Sequence, residues 1–178
     1  MGTMSWPRRL AAWASMAFAA AVLWVFTMPS FRQGEPCIAG AKAEDFAVPV
    51  AGKPARLSDF RGKLVVLNFW ASYCPSCLEE IPDLDRLQRR IRSRGGVVLG
   101  VSVDENCSSY DTFLRKHPVA FQTVCEPTNK KISLDYGTVV IPETYVIDRQ
   151  GRIERKIVGP QQWDSPTMVA YFDAALAR

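Results

Sequence analysis

Histidine is almost absent from this chain: His117 stands alone. That argues against His-based metal sites and against Ser-His-Asp catalysis. Net charge is equally scarce. Lys and Arg total 22 against 18 Asp and Glu, and two of the four excess cations are Arg8 and Arg9 at the amino end. A dedicated nucleic-acid surface needs a larger basic excess, so nucleic acid is not expected as a partner. No repeat period, collagen-like glycine pattern or low-complexity tract is present. With 48% hydrophobic residues the chain is too apolar for disorder, and its 178 residues suffice for one ordinary domain plus an accessory segment. Five cysteines remain as the obvious source of chemistry.

Only one stretch is long and continuously apolar. Leu10–Met28 runs 19 residues without a charge, interrupted mildly by Ser15 and Thr27. As a helix it spans about 30 Å, the hydrocarbon thickness of a bilayer. Arg8 and Arg9 precede it, so the positive-inside bias keeps the amino end cytoplasmic and exports everything after Met28. Trp6, Trp24 and Phe26 lie near its ends, where aromatic rings suit the interface. Residues 1–28 are therefore expected to form a cytoplasmic stub and signal anchor in the cell inner membrane, with the rest on the periplasmic side. A cleaved signal peptide competes, but residues 22–29 offer no clear small-residue cleavage site. A lipid-attached Cys37 competes too, although Glu35-Pro36 precede it. Each version leaves the remaining chain where disulfides persist.

Residues 29–44, with Pro29, Gly34, Pro36 and Gly40, read as a linker, and 45–178 as one domain. Phe46–Val50 and Ala55–Leu57 around Gly52-Lys53-Pro54 predict a small hairpin. Leu64–Trp70 is nearly all apolar, as befits a strand buried on both faces. A helix follows, its stripe formed by Leu78, Ile81, Leu84, Leu87 and Ile91. Acids lead this helix and arginines close it, in accord with its dipole; Gly95-Gly96 stop it and Pro82 should kink it. The arginines at its end read as a solvated face. Val97–Val103 predicts a strand, Ser108/Ser109 open a short helix ended by Pro118, and Phe121–Val124 predicts another strand. Lys130–Tyr136 predicts a helix capped by Gly137, and Tyr145–Ile147 a strand turning through Asp148–Gly151 into Arg152–Val158. Ser165 and Pro166 start a last helix running to about Leu176. Strands alternating with helices and closing on a hairpin predict a mixed α/β sheet flanked by helices.

Cys74-Pro75-Ser76-Cys77 falls between the first buried strand and the long helix. Unpaired N–H groups and a partial positive charge at a helix start stabilise an anion, so a Cys74 thiolate is favoured there. Three residues on, Cys77 lies on the same face, close enough for a disulfide. Cys74 is then the attacking sulfur and Cys77 the resolving one. A structural disulfide rarely spans two residues at a helix start. A zinc site needs a second pair, whereas Cys107 and Cys125 are 18 apart. Covalent haem attachment needs His directly after the second cysteine, where Leu78 stands. No metal or other cofactor is expected, although copper transfer through Cys74 and Cys77 stays open as a rival function.

Phe69-Trp70-Ala71-Ser72-Tyr73-Cys74-Pro75-Ser76-Cys77 resembles the active-site segment of thioredoxin-like proteins. Leu57-Ser58-Asp59-Phe60-Arg61-Gly62-Lys63 before it, then Gly100–Asp104, Ile141–Thr144, Ile147-Asp148 and Gly151–Ile153, extend the resemblance to the membrane-tethered TlpA/ResA branch of thiol–disulfide oxidoreductases. The resemblance implies a thioredoxin-like fold with an inserted βα unit and an N-terminal hairpin. It matches Pro142 to the cis-proline facing the cysteines and places Ile141, Trp70 and Tyr73 with it as substrate contacts. Asn68 stands where ordinary thioredoxins carry a buried carboxylate. Glu80, one turn beyond Cys77, is the nearest titratable group and the candidate to exchange a proton with it; a surface acid at a helix start is the competing account. If the strands before Cys107 and ending at Cys125 are parallel neighbours, as the inserted unit implies, the two cysteines share a sheet edge. A structural disulfide, two unlinked thiols and an auxiliary redox pair all remain open for them, and Cys37 is left over. The implied partners are disulfides and thiols of exported proteins, apocytochrome c among them, and a membrane electron donor. The implied direction is reductive; oxidase or isomerase action on the same fold stays open.

Overall fold

The computed structural model describes residues 6, 13, 15–20, 39–48, 53–126 and 130–178. Strand β1 (Leu64–Trp70) is buried at every position, as its unbroken apolar run demands of a central strand. It pairs in parallel with β2 (Gly96–Ser102), which pairs in parallel with β3 (Gln122–Cys125). On its other side β1 meets antiparallel β4 (Glu143–Ile147), followed by β5 (Ile153–Val158). The order β3-β2-β1-β4-β5 is the mixed sheet that the alternating pattern predicts, with the helical crossover between β2 and β3 as the inserted unit.

Helix α1 (Pro75–Arg92) links β1 to β2 and buries Ile81, Leu84, Leu87 and Ile91. Pro82 lies on its exposed side and the helix continues unbroken past it to Arg92. Gly95, at φ 81°, makes the turn out of the helix, whereas Gly96 already begins β2. The closing arginines are not merely solvated. Arg90 of α1 and Arg94 just past it both reach Asp173 in the last helix, and Arg86 reaches Asp164 in the loop before that helix. These pairs are exposed, so each contributes at most about 1 kcal/mol.

Helix α2 (Cys107–Lys116) starts one residue earlier than its serines predict, because Asn106 caps it by accepting the Ser108 N–H. Helix α3 (Lys131–Asp135) is short. In α4 (Pro166–Ala177), Ser165 accepts the Met168 N–H, the cap its position predicts. Of the expected hairpin, the described residues include a bridge between Ala47 and Arg56, which runs into a 3-10 turn at Leu57–Phe60.

Of the anchor expected over Leu10–Met28, Trp13 and residues 15–20 are described, and they are helical and exposed. Its remainder, the linker residues 29–38 with Cys37, and the hairpin residues 49–52 lie outside the described residues. Among those described, no helix is long and apolar enough to cross a membrane.

Gly96 shows how tightly α1 and β2 pack. A Cβ there would lie 2.7 Å from Ile91 Cβ, and Ile91 is itself fully buried. Gly96→Ala is expected to destabilise by about 1–3 kcal/mol, read as a lower urea midpoint with an unchanged slope.

Candidate redox site

The loop leaving β1 delivers Cys74 to the start of α1. Val103 N–H donates to the Trp70 carbonyl, and the Cys74 N–H to the Ala71 carbonyl, fixing the exit path. Asp104 then locks the loop. Its carboxylate accepts the Ser72 N–H at 3.0 Å, the Ser72 hydroxyl at 2.7 Å and the Ser102 hydroxyl. Nothing local in the sequence marks Asp104 for this task; only the pairing of β1 with β2 brings it beside Ser72.

Cys74 is itself the N-cap of α1, with its sulfur accepting the Cys77 N–H at 3.3 Å. The two sulfurs are bonded, their Cα atoms 5.3 Å apart. Cys74 is 8% exposed and Cys77 fully buried, so Cys74 is the sulfur that an incoming partner can reach. Pro75 occupies the first helical position, where its missing N–H costs nothing. Ser76 Oγ lies 3.5 Å from Cys74 Sγ. Opposite, the Ile141–Pro142 peptide bond is cis, and the Ile141 carbonyl oxygen stands 4.0 Å from Cys74 Sγ. Pro142 is buried and its carbonyl accepts the Gly159 N–H, so β5 backs this loop.

Tyr73, 64% exposed beside Cys74, is open to a partner. Trp70 is not, which corrects the expectation that it touches substrate. It is 1% exposed because Tyr110 and Phe113 of α2 cover its ring, and its indole N–H donates to Thr123 at 3.2 Å.

Glu80 is no surface acid. It is 3% exposed and accepts three hydrogen bonds: Asn68 Nδ2 at 2.8 Å, the Gln161 N–H at 3.1 Å and Trp163 Nε1 at 3.1 Å. Burial pushes its carboxyl above the ordinary glutamate value, against the pull of those three donors. Asn68 also donates to Thr144 at 3.0 Å, while its own Oδ1 finds no hydrogen-bond partner among the described residues. Gln161 and Trp163 come from the loop before α4, far along the chain, and nothing in their local pattern points to the site.

A carboxyl whose pKa is higher folded than unfolded holds its proton more tightly in the native state. Stability therefore falls as pH rises from about 4.3 through the folded pKa. Glu80→Gln is expected to flatten that fall in thermal melts between about pH 5 and 8. A flipped Asn68 amide can accept from the new side-chain N–H through its unpartnered Oδ1, so the packing survives.

The second cysteine pair is also joined. Cys107, first residue of α2, bonds Cys125 at the end of β3, with Cα atoms 5.7 Å apart. Among the described residues no cluster of three or more His, Cys, Asp or Glu is placed to hold a metal.

The model of the AhpC/TSA family matches residues 39–156. The thiol-disulfide oxidoreductase ResA of Geobacillus kaustophilus is 31% identical over 130 residues, covering 72% of this chain and 74% of that protein. ResA of Bacillus thuringiensis subsp. konkukian is 29% identical over 132 residues, covering 74% and 76%. The crystal structure of a putative thiol:disulfide interchange protein DsbE from Chlorobium tepidum superposes with a TM-score of 0.72 at 30% identity, covering 78% of this chain and 98% of that one.

Proposed function

The chain belongs to the AhpC/TSA family and is a thiol–disulfide oxidoreductase of the ResA/DsbE type, and from that premise we propose a membrane-held reductase of exported polypeptides worked by Cys74 and Cys77. The observation that carries this reading is a cysteine pair capping a helix, with the outer sulfur facing Ile141-Pro142. In the dithiol form Cys74 carries the thiolate, favoured by the Cys77 N–H and the free N–H groups of the helix start. That thiolate attacks one sulfur of a substrate disulfide. The substrate bond breaks and its electron pair leaves on the other substrate sulfur. Cys77, losing its proton, then attacks Cys74 Sγ, expelling the first substrate sulfur as a thiolate. The substrate gains two electrons and two protons, and Cys74–Cys77 becomes the disulfide.

Glu80 takes the role of proton acceptor for Cys77 in that second step. Its raised pKa brings it nearer to working pH, and its position one turn beyond Cys77 puts it on the buried side of the pair. The backbone at Ile141 and the exposed ring of Tyr73 supply the substrate contacts. Ile141 is the natural place for an extended substrate segment to pair through its main chain, tolerant of sequence.

The apolar run Leu10–Met28 behind Arg8 and Arg9 supports an inner-membrane anchor with the catalytic domain on the periplasmic side. An exported substrate fits that side, oxidised apocytochrome c among the candidates, and a membrane dithiol protein would restore the electrons. Insulin reduction is the direct test. Turnover with dithiothreitol as electron source is expected, with a pH dependence that Glu80→Gln displaces. Tight copper binding by the reduced protein without any turnover would replace this reading with metal transfer. An unchanged pH profile in Glu80→Gln would remove Glu80 from the mechanism.

A further inference from the structure

We propose that Cys107–Cys125 is a second redox-active disulfide, entered through Cys107 and served by the groove beside β3, which exchanges with cysteine thiols of a polypeptide. This site is separate from the Cys74–Cys77 pair and does not depend on its role.

Position comes first. Trp70 of β1 pairs with Ser102 of β2, and Ser102 with Cys125 of β3. Both disulfides therefore stand at the same end of the sheet, each following a parallel strand and each holding the start of a helix of ten residues or more. Accessibility differs in favour of the second pair. Cys107 is exposed and Cys125 half-buried, whereas Cys74 is 8% exposed and Cys77 is buried. Exchange requires a thiolate to reach a sulfur, and Cys107 is the most exposed residue of the four bonded cysteines.

A cavity of about 730 Å³ adjoins the pair, with Cys125 in its wall. Phe46, Tyr110, Val124 and Ile132 give it an apolar lining, and Glu44 and Asp111 border it with negative charge, while Asp45 is paired with Arg56 and Asp135 with Lys131. β3 is an outer strand of the sheet, so its far edge is not taken by another named strand. The groove meets the bridge on the Cys125 side, and a segment lying in it passes the disulfide on its way to Cys107. An apolar floor with an acidic border fits one occupant: an extended segment carrying a cysteine, with apolar and basic neighbours.

The exchange step balances. The thiolate of a polypeptide dithiol bonds to Cys107 Sγ, the Cys107–Cys125 bond breaks, and its electron pair leaves on Cys125, which takes a proton. The second thiol of the same polypeptide loses its proton and attacks the mixed disulfide. Cys107 departs as a thiolate at the start of α2, where the helix favours it, and is protonated from solvent according to pH. The polypeptide dithiol is oxidised to a disulfide; Cys107 and Cys125 are reduced by two electrons.

The test uses the full chain as it is. The folded protein is equilibrated at pH 7 in mixtures of reduced and oxidised dithiothreitol, its thiols are trapped by alkylation, and each cysteine is read by peptide mapping. Cys107 and Cys125 are expected to take label in the folded protein, at a ratio within about 100-fold of that for Cys74 and Cys77. Label on them only after adding denaturant would overturn the proposal. A second measurement uses the oxidised Cys74→Ala/Cys77→Ala variant and two dithiol peptides, one flanked by Leu and Lys, the other by Ser and Asp. Opening of Cys107–Cys125 is expected to be at least about fivefold faster with the first. Equal rates overturn the part assigned to the groove. The four cysteines are read separately, so an unreactive Cys74 would end the function proposed above while leaving this result standing.

Discussion

In a Cys107→Ala/Cys125→Ala background, Cys74→Ala is expected to lower the rate of insulin reduction by about 10³-fold or more, because it removes the attacking sulfur that faces Ile141. Cys77 is buried behind it and cannot be reached by a folded partner. Cys77→Ser separates the two half-reactions. Attack by Cys74 proceeds, resolution does not, and the mixed disulfide accumulates as a covalent adduct visible by non-reducing electrophoresis. Turnover in Cys74→Ala within tenfold of the parent would sink the assignment of the nucleophile. The adduct has a further use, since whatever the Cys77→Ser protein captures in cells identifies the natural substrate directly.

The largest effect on stability is expected at Trp163. It is 1% exposed, packs on Phe172 and donates its indole N–H to Glu80. Trp163→Ala empties a large buried volume and is expected to cost about 3–5 kcal/mol in urea unfolding. Because that loss mixes packing with hydrogen bonding, Trp163→Phe isolates the second. It keeps most of the ring while withdrawing one of three donors that hold the Glu80 carboxylate, at a cost of about 1–3 kcal/mol where Glu80 is ionised. With one donor fewer, the Glu80 pKa moves further up. The pH-dependent limb of activity assigned to Glu80 should then shift to higher pH in Trp163→Phe and vanish in the double variant with Glu80→Gln. A limb that stays put in Trp163→Phe would show that the indole does not tune Glu80.

The parts of this molecule that could be read ahead of its coordinates are those set by local pattern. Leu64–Trp70 had to be a central strand because no polar face is available along it, and the Leu78–Ile91 stripe had to be a helix against it. Cys74 at the join of the two followed from the same pattern. What could not be read arises from contacts across the chain. Trp70 looked available to substrate because it neighbours the cysteines, but α2 folds over its ring. Asn106 displaced the serines as the cap of α2 since it reaches Ser108 N–H from one residue further out. The setting of Glu80 depends on Gln161 and Trp163, about 80 residues away along the chain. Even Asp104, visible in the motif, reveals its grip on Ser72 only when β1 and β2 lie side by side.

One feature of the sheet governs how the domain presents itself. The chain enters the fold at Gly40, whose N–H meets the Ile153 carbonyl, and leaves it near Leu176, whose carbonyl accepts from Arg149. Both places adjoin the Leu64 end of β1, and Cys74 follows the Trp70 end. Seven strand residues separate those poles, about 23 Å. The points at Gly40 and Leu176 where the chain joins and leaves the fold thus lie at the pole opposite the reactive sulfur, so an attachment made at either point stands a strand's length from Cys74.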